Sequence, residues 1–265
     1  MMRFVTVAHA ERAAWIDAIV ALEADATYPL GTDRFRLDHG PDYFAFFDRL
    51  GEARHDIAIE DGRVLAIACG VVRSIPLGGQ RVSAWYGCDM KVIPEARGRH
   101  IPLRMLANAF VSGYARCRRG YAISMDPPDR ENPVARLLGR FPLLPIRKVA
   151  GLVLYSLDAH AMRGAAPLLV RARGPIGYRS LAGIKDVVLE STGRPMPLWH
   201  VQHGVLGDPT HADPVEGGVH MFSVPDDDAL VTDLRSLGLE PSATASVLAH
   251  GLDDARFDFV LTSDI

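Results

Sequence analysis

The run from Asp89 to Leu106 gathers a carboxylate, a Val-Ile-Pro-Glu segment, the arginines Arg97 and Arg99 around Gly98, and then His100-Ile101-Pro102-Leu103. Residues up to Ile93 read as a strand, and Leu103, Leu106, Phe110, Tyr114 and Cys117 recur at helical spacing, so a basic glycine turn joins strand to helix. The first N–H groups of a helix have no intrahelical acceptor, and their dipoles favour an anion. Such a turn suits a pyrophosphate: Gly98, Arg99, His100, Ile101 and Leu103 are placed to offer main-chain N–H groups, and the Arg97 and Arg99 side chains add full charge. An ordinary strand-to-helix turn with solvated arginines would show the same residues.

The surrounding elements must hold that turn. Residues 3 to 8 read as a short strand, and Trp15, Ile19 and Leu22 form the apolar stripe of a helix from Glu11 to Ala24, with Asp17 and Glu23 on its polar side. A loop rich in Pro, Gly and Asp leads to a second stripe at Tyr43, Phe44, Phe47 and Leu50, closed by Gly51. His55 to Glu60, the Asp61-Gly62 turn and Arg63 to Ile75 form a hairpin, and the turn at Leu77-Gly78-Gly79 leads into Val82 to Ile93. After the helix that opens near Ile101 come a strand at Tyr121 to Met125, a helix at Glu131 to Phe141 and a strand at Lys148 to Leu157.

Residues 159 to 183, rich in small residues, arginine and glycine, read as a connector. Residues 184 to 265 read as a smaller, sheet-rich C-terminal domain. Its strands are expected at Asp186 to Glu190, Leu198 to His203, Val219 to Val224, Ala245 to His250 and Phe257 to Thr262, with one helix at Asp226 to Leu237. Ser124 to Leu154 and Ser223 to Leu252 share one order: strand end, Pro/Asp turn, helix, strand. A duplicated unit would produce that echo, and so would any two units with βαβ punctuation.

The chain has 265 residues, 48% of them hydrophobic and 23% charged, which fits a soluble globular protein with two modules. A formal net charge of −3 supplies no general field for nucleic acid or an anionic membrane. Cys69, Cys88 and Cys117 lack Cys-x-x-Cys spacing, so free thiols are expected rather than a disulfide framework or a thiolate metal site. The N-terminal residues lack a signal-peptide apolar core and no apolar run is long enough to span a membrane, which leads to a cytoplasmic expectation.

Element order and motif together make residues 3 to 157 resemble the GNAT superfamily, which transfers acyl groups from coenzyme A to amines. The family's Arg/Gln-x-x-Gly-x-Gly/Ala turn follows a strand ending in Val-x-Pro-Glu, and Val92-Ile93-Pro94-Glu95-Ala96-Arg97-Gly98 matches that lead-in. The chain departs at His100, in place of the first signature glycine, and at Pro102, in place of the second small residue. The resemblance implies an α/β (α+β) fold with a mixed, mostly antiparallel sheet flanked by helices over residues 1 to 158. The C-terminal domain would be a degenerate second copy or an unrelated module. It implies acetyl-CoA or a longer acyl-CoA as co-substrate, bound by Arg97, Gly98, Arg99, His100, Ile101 and Leu103, with a main-chain N–H near Met90 to Val92 holding the thioester oxygen.

In the family, an Asn-x-x-Ala-x-x-Leu-Tyr helix supplies a further contact and an acid for the leaving thiolate. Asn132, Ala135 and Leu138 match it, but Gly139 stands in the acid's place. Asp89 is the candidate base, and Tyr86 the first substitute acid, followed by Cys88, Tyr121 and Tyr155; ion pairing of Asp89 with Lys91 and core packing of the tyrosines are the rival readings. The expected acceptor is a small-molecule or peptide amine. Arg116, Arg118 and Arg119 would also suit an acyl carrier protein as donor, and Trp199 an acceptor pocket or a homodimer surface. His200 and His203 fall on opposite strand faces, so no metal site is expected. A ligand-binding module without catalysis is the alternative class.

Overall fold

The computed structural model describes residues 1–30, 33–127 and 129–265. Its elements are β1 (Arg3–Thr6), α1 (Arg12–Ala24), β2 (Thr27–Leu30), β3 (Asp33–Asp38), α2 (Ala45–Leu50), β4 (Glu52–Glu60), β5 (Arg63–Leu77), β6 (Gln80–Val92) and α3 (Ile101–Arg116). They continue as β7 (Gly120–Met125), α4 (Pro133–Leu138), β8 (Arg147–Leu157), α5 (Ala159–Arg173), β9 (Ile176–Arg179), β10 (Asp186–Leu189), β11 (Leu198–His203), β12 (Val219–Pro225), α6 (Ala229–Ser236) and β13 (Ala243–His250). Among the described residues no helix is long and apolar enough to cross a membrane.

One mixed, mostly antiparallel sheet runs through the molecule in the order β1-β4-β5-β6-β7-β13-β8-β12-β11-β9, and a smaller sheet has the order β10-β3-β2. The hairpin expected at Asp61-Gly62 is present, with φ of 51° and 80° at those two residues, the left-handed pair that a two-residue hairpin turn demands. Strand pairing sorts the side chains into two faces. Ile57, Cys69, Tyr86, Tyr121, Val247 and Leu152 belong to a core shared with α1 and α2, and the buried His55 packs beside it against Phe44 and Phe47. Val153, Tyr155, Leu157, Val201 and Phe222 form a second core with α5 and α6. The Trp85 indole N–H donates to the Gly113 carbonyl at 2.9 Å, tying α3 to the face opposite α1.

Two parallel contacts divide this sheet. β6 pairs parallel with β7 through Trp85↔Gly120, Tyr86↔Tyr121 and Gly87↔Ala122, and β11 pairs parallel with β12 through Leu198↔Val219, Trp199↔His220 and His200↔Met221. Between them, β13 pairs with β7 while β8 pairs with β12, so the strand closing each sequence half pairs with the opposite half. The order β6-β7-β13-β8-β12-β11 therefore reads alike from both ends, and α4 and α6 precede the two closing strands, β8 and β13. The repeat between Ser124–Leu154 and Ser223–Leu252 has this spatial counterpart.

Four features differ from the sequence reading. The stretch expected as a connector contains α5, which buries Ala159, Met162, Ala165 and Leu169; its small residues allow close packing, and Asp158 caps it by accepting from the Ala161 N–H at 2.8 Å. The loop before α2 contains β2 and β3, which pair with each other, and β3 pairs in turn with β10 from the second half of the chain; the turn between β2 and β3 lies outside the described residues. Residues 257–262 do not extend the sheet but cross its α1 face as an irregular segment anchored by side-chain bonds. Glu23, expected on the polar side of α1, is 4% exposed because Lys91 and His39 meet it in the interior.

Candidate functional site

The strand-to-helix turn is built from a short helical turn at Pro94–Ala96, then Gly98 at φ +80° and His100 at φ +55°, immediately before α3. His100 thus adopts the left-handed conformation for which glycine is the usual choice, at a cost of about 1–2 kcal/mol for a residue with a Cβ. The replacement changes the residue and keeps the bend. Ala96 and Arg97 N–H groups are used locally, on the carbonyls of Ile93 and Pro94. Among the described residues, the N–H groups of Gly98, Arg99, His100, Ile101 and Leu103 reach no protein acceptor, and His100 caps nothing with its side chain. A Cβ built on Gly98 meets no atom within 4 Å, so the turn opens outward.

The two arginines behave differently. Arg99 is held by Glu60 in a two-pronged ion pair of 2.8 and 2.9 Å, which raises the guanidinium above its ordinary value and spends its charge on β4. Arg97 forms no ion pair among the described residues and borders a cleft of about 240 Å³ between the end of β6 and the segment joining α1 to β2. Met90, Lys91 and Val92 line one wall of that cleft, and Leu22, Asp25, Thr27 and Tyr28 the other.

Beyond Gly87 the parallel pairing ends, and β6 and β7 diverge while β6 keeps its bonds to β5 as far as Val92. The diverging ends carry Met90 and Met125, 43% and 44% exposed, so the gap has apolar rims. β6 also bulges there. Cys88 faces Cys69 and Lys91 faces Ile67, leaving Asp89 and Met90 opposite Ala68 alone, and Asp89 takes φ +47°.

That bulge turns the Asp89 carboxylate inward, where it accepts from the Tyr43 hydroxyl and from Lys91 Nζ. Lys91 Nζ also donates to Glu23 Oε1 at 2.8 Å, and His39 Nδ1 lies 2.6 Å from the same oxygen. Burial opposes the charge of Asp89, but Lys91, His39 and the Tyr43 hydroxyl outweigh it and hold the carboxyl below its usual range. Burial likewise opposes the Lys91 charge, and Asp89 and Glu23 outweigh it, raising the ammonium. Burial first, then Asp89, pushes the Tyr43 hydroxyl well up. Asp89 is therefore a buried, fully ionised partner, and the expectation of a free base facing an acceptor is replaced by the ion pair with Lys91.

Other expected residues also find different places. Tyr86 is 2% exposed and stacks on Tyr121 with ring centroids 4.9 Å apart, while Phe257 and Phe259 pack against Tyr121; its hydroxyl is pushed well up by burial. Tyr86 is thus core rather than an acid on an open gap. Tyr155 lies in the second core, stacked on Phe222. Asn132 is the N-cap of α4: its Oδ1 accepts from the Val134 and Ala135 N–H groups at 3.0 and 3.2 Å, and its Nδ2 donates to Asp126 at 2.7 Å. With both ends of the amide engaged, Asn132 serves the helix and not a cofactor. Met90 and Val92 line the cleft at the end of β6, while Gly98 and His100 lie in the turn and Ile101 and Leu103 in the first turn of α3. Glu23, His39 and Tyr43 were missed, because a lone carboxylate on a helix and two rings in an aromatic run carry no spacing that links them to β6.

No family model matches this chain. An uncharacterised protein of Acanthamoeba polyphaga mimivirus is 21% identical over 240 residues, covering 84% of this chain and 68% of that protein. Among solved structures, a tandem GNAT protein from the clavulanic acid biosynthesis pathway is similar over 94% of this chain and 98% of its own, with a TM-score of 0.51 and 13% identity. A GCN5-related N-acetyltransferase from Anabaena variabilis is similar over 94% and 72%, with a TM-score of 0.50 and 8% identity. The fold is that of the GCN5-related N-acetyltransferases, and the palindromic strand order agrees with a tandem arrangement.

Proposed function

We propose that the first half of the molecule, β1 to β7 with α1 to α3, binds an acyl thioester of coenzyme A and transfers the acyl group to an amine. The observation that carries this reading is the set of five main-chain N–H groups between Gly98 and Leu103 that reach no acceptor among the described residues, at the start of a 16-residue helix and beside Arg97, which forms no ion pair there. A diphosphate satisfies those donors and the helix dipole together. The gap between β6 and β7, rimmed by Met90 and Met125, takes the pantetheine arm, and the edge of β6 facing the gap presents a main-chain N–H near Met90 to Val92 to the thioester oxygen. An amine entering the cleft by Asp25 and Tyr28 attacks the carbonyl carbon; the C–S bond breaks, the amide forms, and the amine's proton passes through solvent to the departing thiolate.

The acceptor is a small molecule or a peptide terminus, since the cleft of about 240 Å³ admits little more than an amine and its nearest substituents. One observation favours a second reading, a thioester-binding module without turnover: Gly139 closes α4 where the resembling family keeps its acid, and Asp89 is committed to Lys91. Calorimetric titration with coenzyme A tests binding, and free-thiol release from acetyl-CoA over an amine library tests transfer. Micromolar binding with thiol release is the expected outcome. Binding with no release selects the module, and neither removes both readings.

A further inference from the structure

We propose that Cys69 and Cys88 form a dithiol that closes to an intramolecular disulfide when a small-molecule disulfide oxidises the folded protein. The two residues are direct cross-strand partners in the β5–β6 ladder, so their side chains leave the same face of the sheet. Directly opposed residues have Cα atoms about 4.5–5.5 Å apart, inside the roughly 4.4–6.8 Å that a disulfide accepts. The backbone on both sides can yield. One neighbouring rung is the glycine pair Gly70↔Gly87, and beyond the other lies the bulge at Asp89 and Met90. Closure therefore needs only a local approach of two residues that already face each other across the ladder.

Access is unequal in a way that orders the chemistry. Cys88 is half-buried and Cys69 is 4% exposed, with its thiol pushed well up by burial and by Cys88. The Cys88 thiolate attacks one sulfur of the external disulfide and expels one thiol, leaving a mixed disulfide. The Cys69 thiolate then attacks the Cys88 sulfur, the protein S–S bond forms, and the second external thiol leaves. Two protein thiols are oxidised, one external disulfide is reduced, and the two protein protons end on the released thiols. Cys117 takes no part: its Sγ donates to the Ser83 carbonyl, five residues and about 16 Å along β6 from Cys88. The product ties β5 to β6 immediately before the bulge that carries Asp89.

The test uses the intact chain, incubated with oxidised glutathione under conditions where circular dichroism shows it folded, then alkylated in acid and mapped by mass spectrometry without reduction. The expected result is loss of two of the three free thiols, a linked pair of peptides containing Cys69 and Cys88, an alkylated Cys117, and full recovery with dithiothreitol. A Cys88→Ser chain keeps Cys69 reduced under the same treatment. A stable glutathione adduct at Cys88, a link involving Cys117, no thiol loss in the folded protein, or oxidation of Cys69 in the Cys88→Ser chain overturns the proposal.

Discussion

Among the described residues, parallel strands part in two places, and these are finished in opposite ways. Between β6 and β7 the chain inserts a helix whose first N–H groups reach no acceptor among the described residues, and the diverging strand ends carry the exposed Met90 and Met125. Between β11 and β12 it inserts residues 204–218, which hold one short helical turn at Gly204–Leu206, and the parting is covered from the α1 face by the segment from Val260 to Asp264. There Ser223 Oγ donates to the Val260 carbonyl at 2.8 Å, Thr262 Oγ1 donates to the Met221 carbonyl at 3.0 Å, and Gln202 Nε2 donates to Ser263 Oγ at 3.1 Å. Equal strand geometry thus yields an open groove after β6, where a helix succeeds the strand, and a sealed one after β11, where a loop does. On the proposed function, binding capacity belongs to the helix start, and the parted strands alone do not supply it.

The largest expected effect comes from breaking the seal. Asp264 is 5% exposed and accepts from Arg73 at 2.8 Å and from Arg49 at 3.3 Å, so Asp264→Ala leaves the buried Arg73 guanidinium without its ion-pair partner, while Arg49 keeps the Ser263 carbonyl. A broken buried ion pair should cost about 3–5 kcal/mol, read as a lowered denaturant midpoint; a midpoint within experimental scatter of the parent would show that the segment is not a structural seal.

Acidification attacks the same place more gradually. His200, whose Nδ1 lies 3.0 Å from Thr262 Oγ1, is lowered to about 3 by burial and then by Lys185 and Arg49; burial, then Arg12, lowers His55 to about 4. The unfolded chain, with imidazoles near 6.5, binds these protons first. Their contribution is therefore complete above about pH 6.5 and is lost as pH falls toward the folded values. Melting temperature should drop steeply between pH 6.5 and 4, and His200→Asn should flatten the slope; an unchanged slope would remove His200 from the seal's pH response.

The open groove gives smaller and more selective effects. Arg97→Ala should weaken coenzyme A about tenfold, equivalent to about 1.4 kcal/mol, with the melting temperature unchanged. Arg99→Ala should weaken it less, because Glu60 already holds that guanidinium. Equal losses at the two positions would mean that the ion pair opens on binding. Asn132→Ala should cost about 1 kcal/mol of stability as a lost helix cap and leave coenzyme A affinity as it was; a parallel loss of affinity would return Asn132 to the binding site.

Much of this was legible because the first half relies on local signals. The Asp61-Gly62 turn and the lead-in Val92 to Gly98 each fix their structure within a few residues; helical spacing located α3, but the residues it buries are Ile101 and Met105 rather than the expected stripe from Leu103 to Cys117. The bend at His100 was harder: the sequence shows a lost glycine, and only the φ of +55° shows that the bend itself is kept. Long-range choices were not legible. Asp89 and Lys91 are two residues apart, but the partners that bury them, Glu23, His39 and Tyr43, come from two other segments, α1 and the loop between β3 and α2. The covering segment likewise read as a strand, since Phe257 to Thr262 is apolar, and its path is decided by hydrogen bonding to β11 and β12. α5 was hidden because alanine, glycine and an internal Pro167 weaken its helical stripe while still permitting close packing.

The contrast between the two partings is tested most directly by the stoichiometry of coenzyme A binding, measured by isothermal titration on the parent chain and on Arg97→Ala. One molecule per chain, weakened about tenfold by that substitution, is the result expected of one open and one sealed groove. Two molecules per chain, or none, would contradict it.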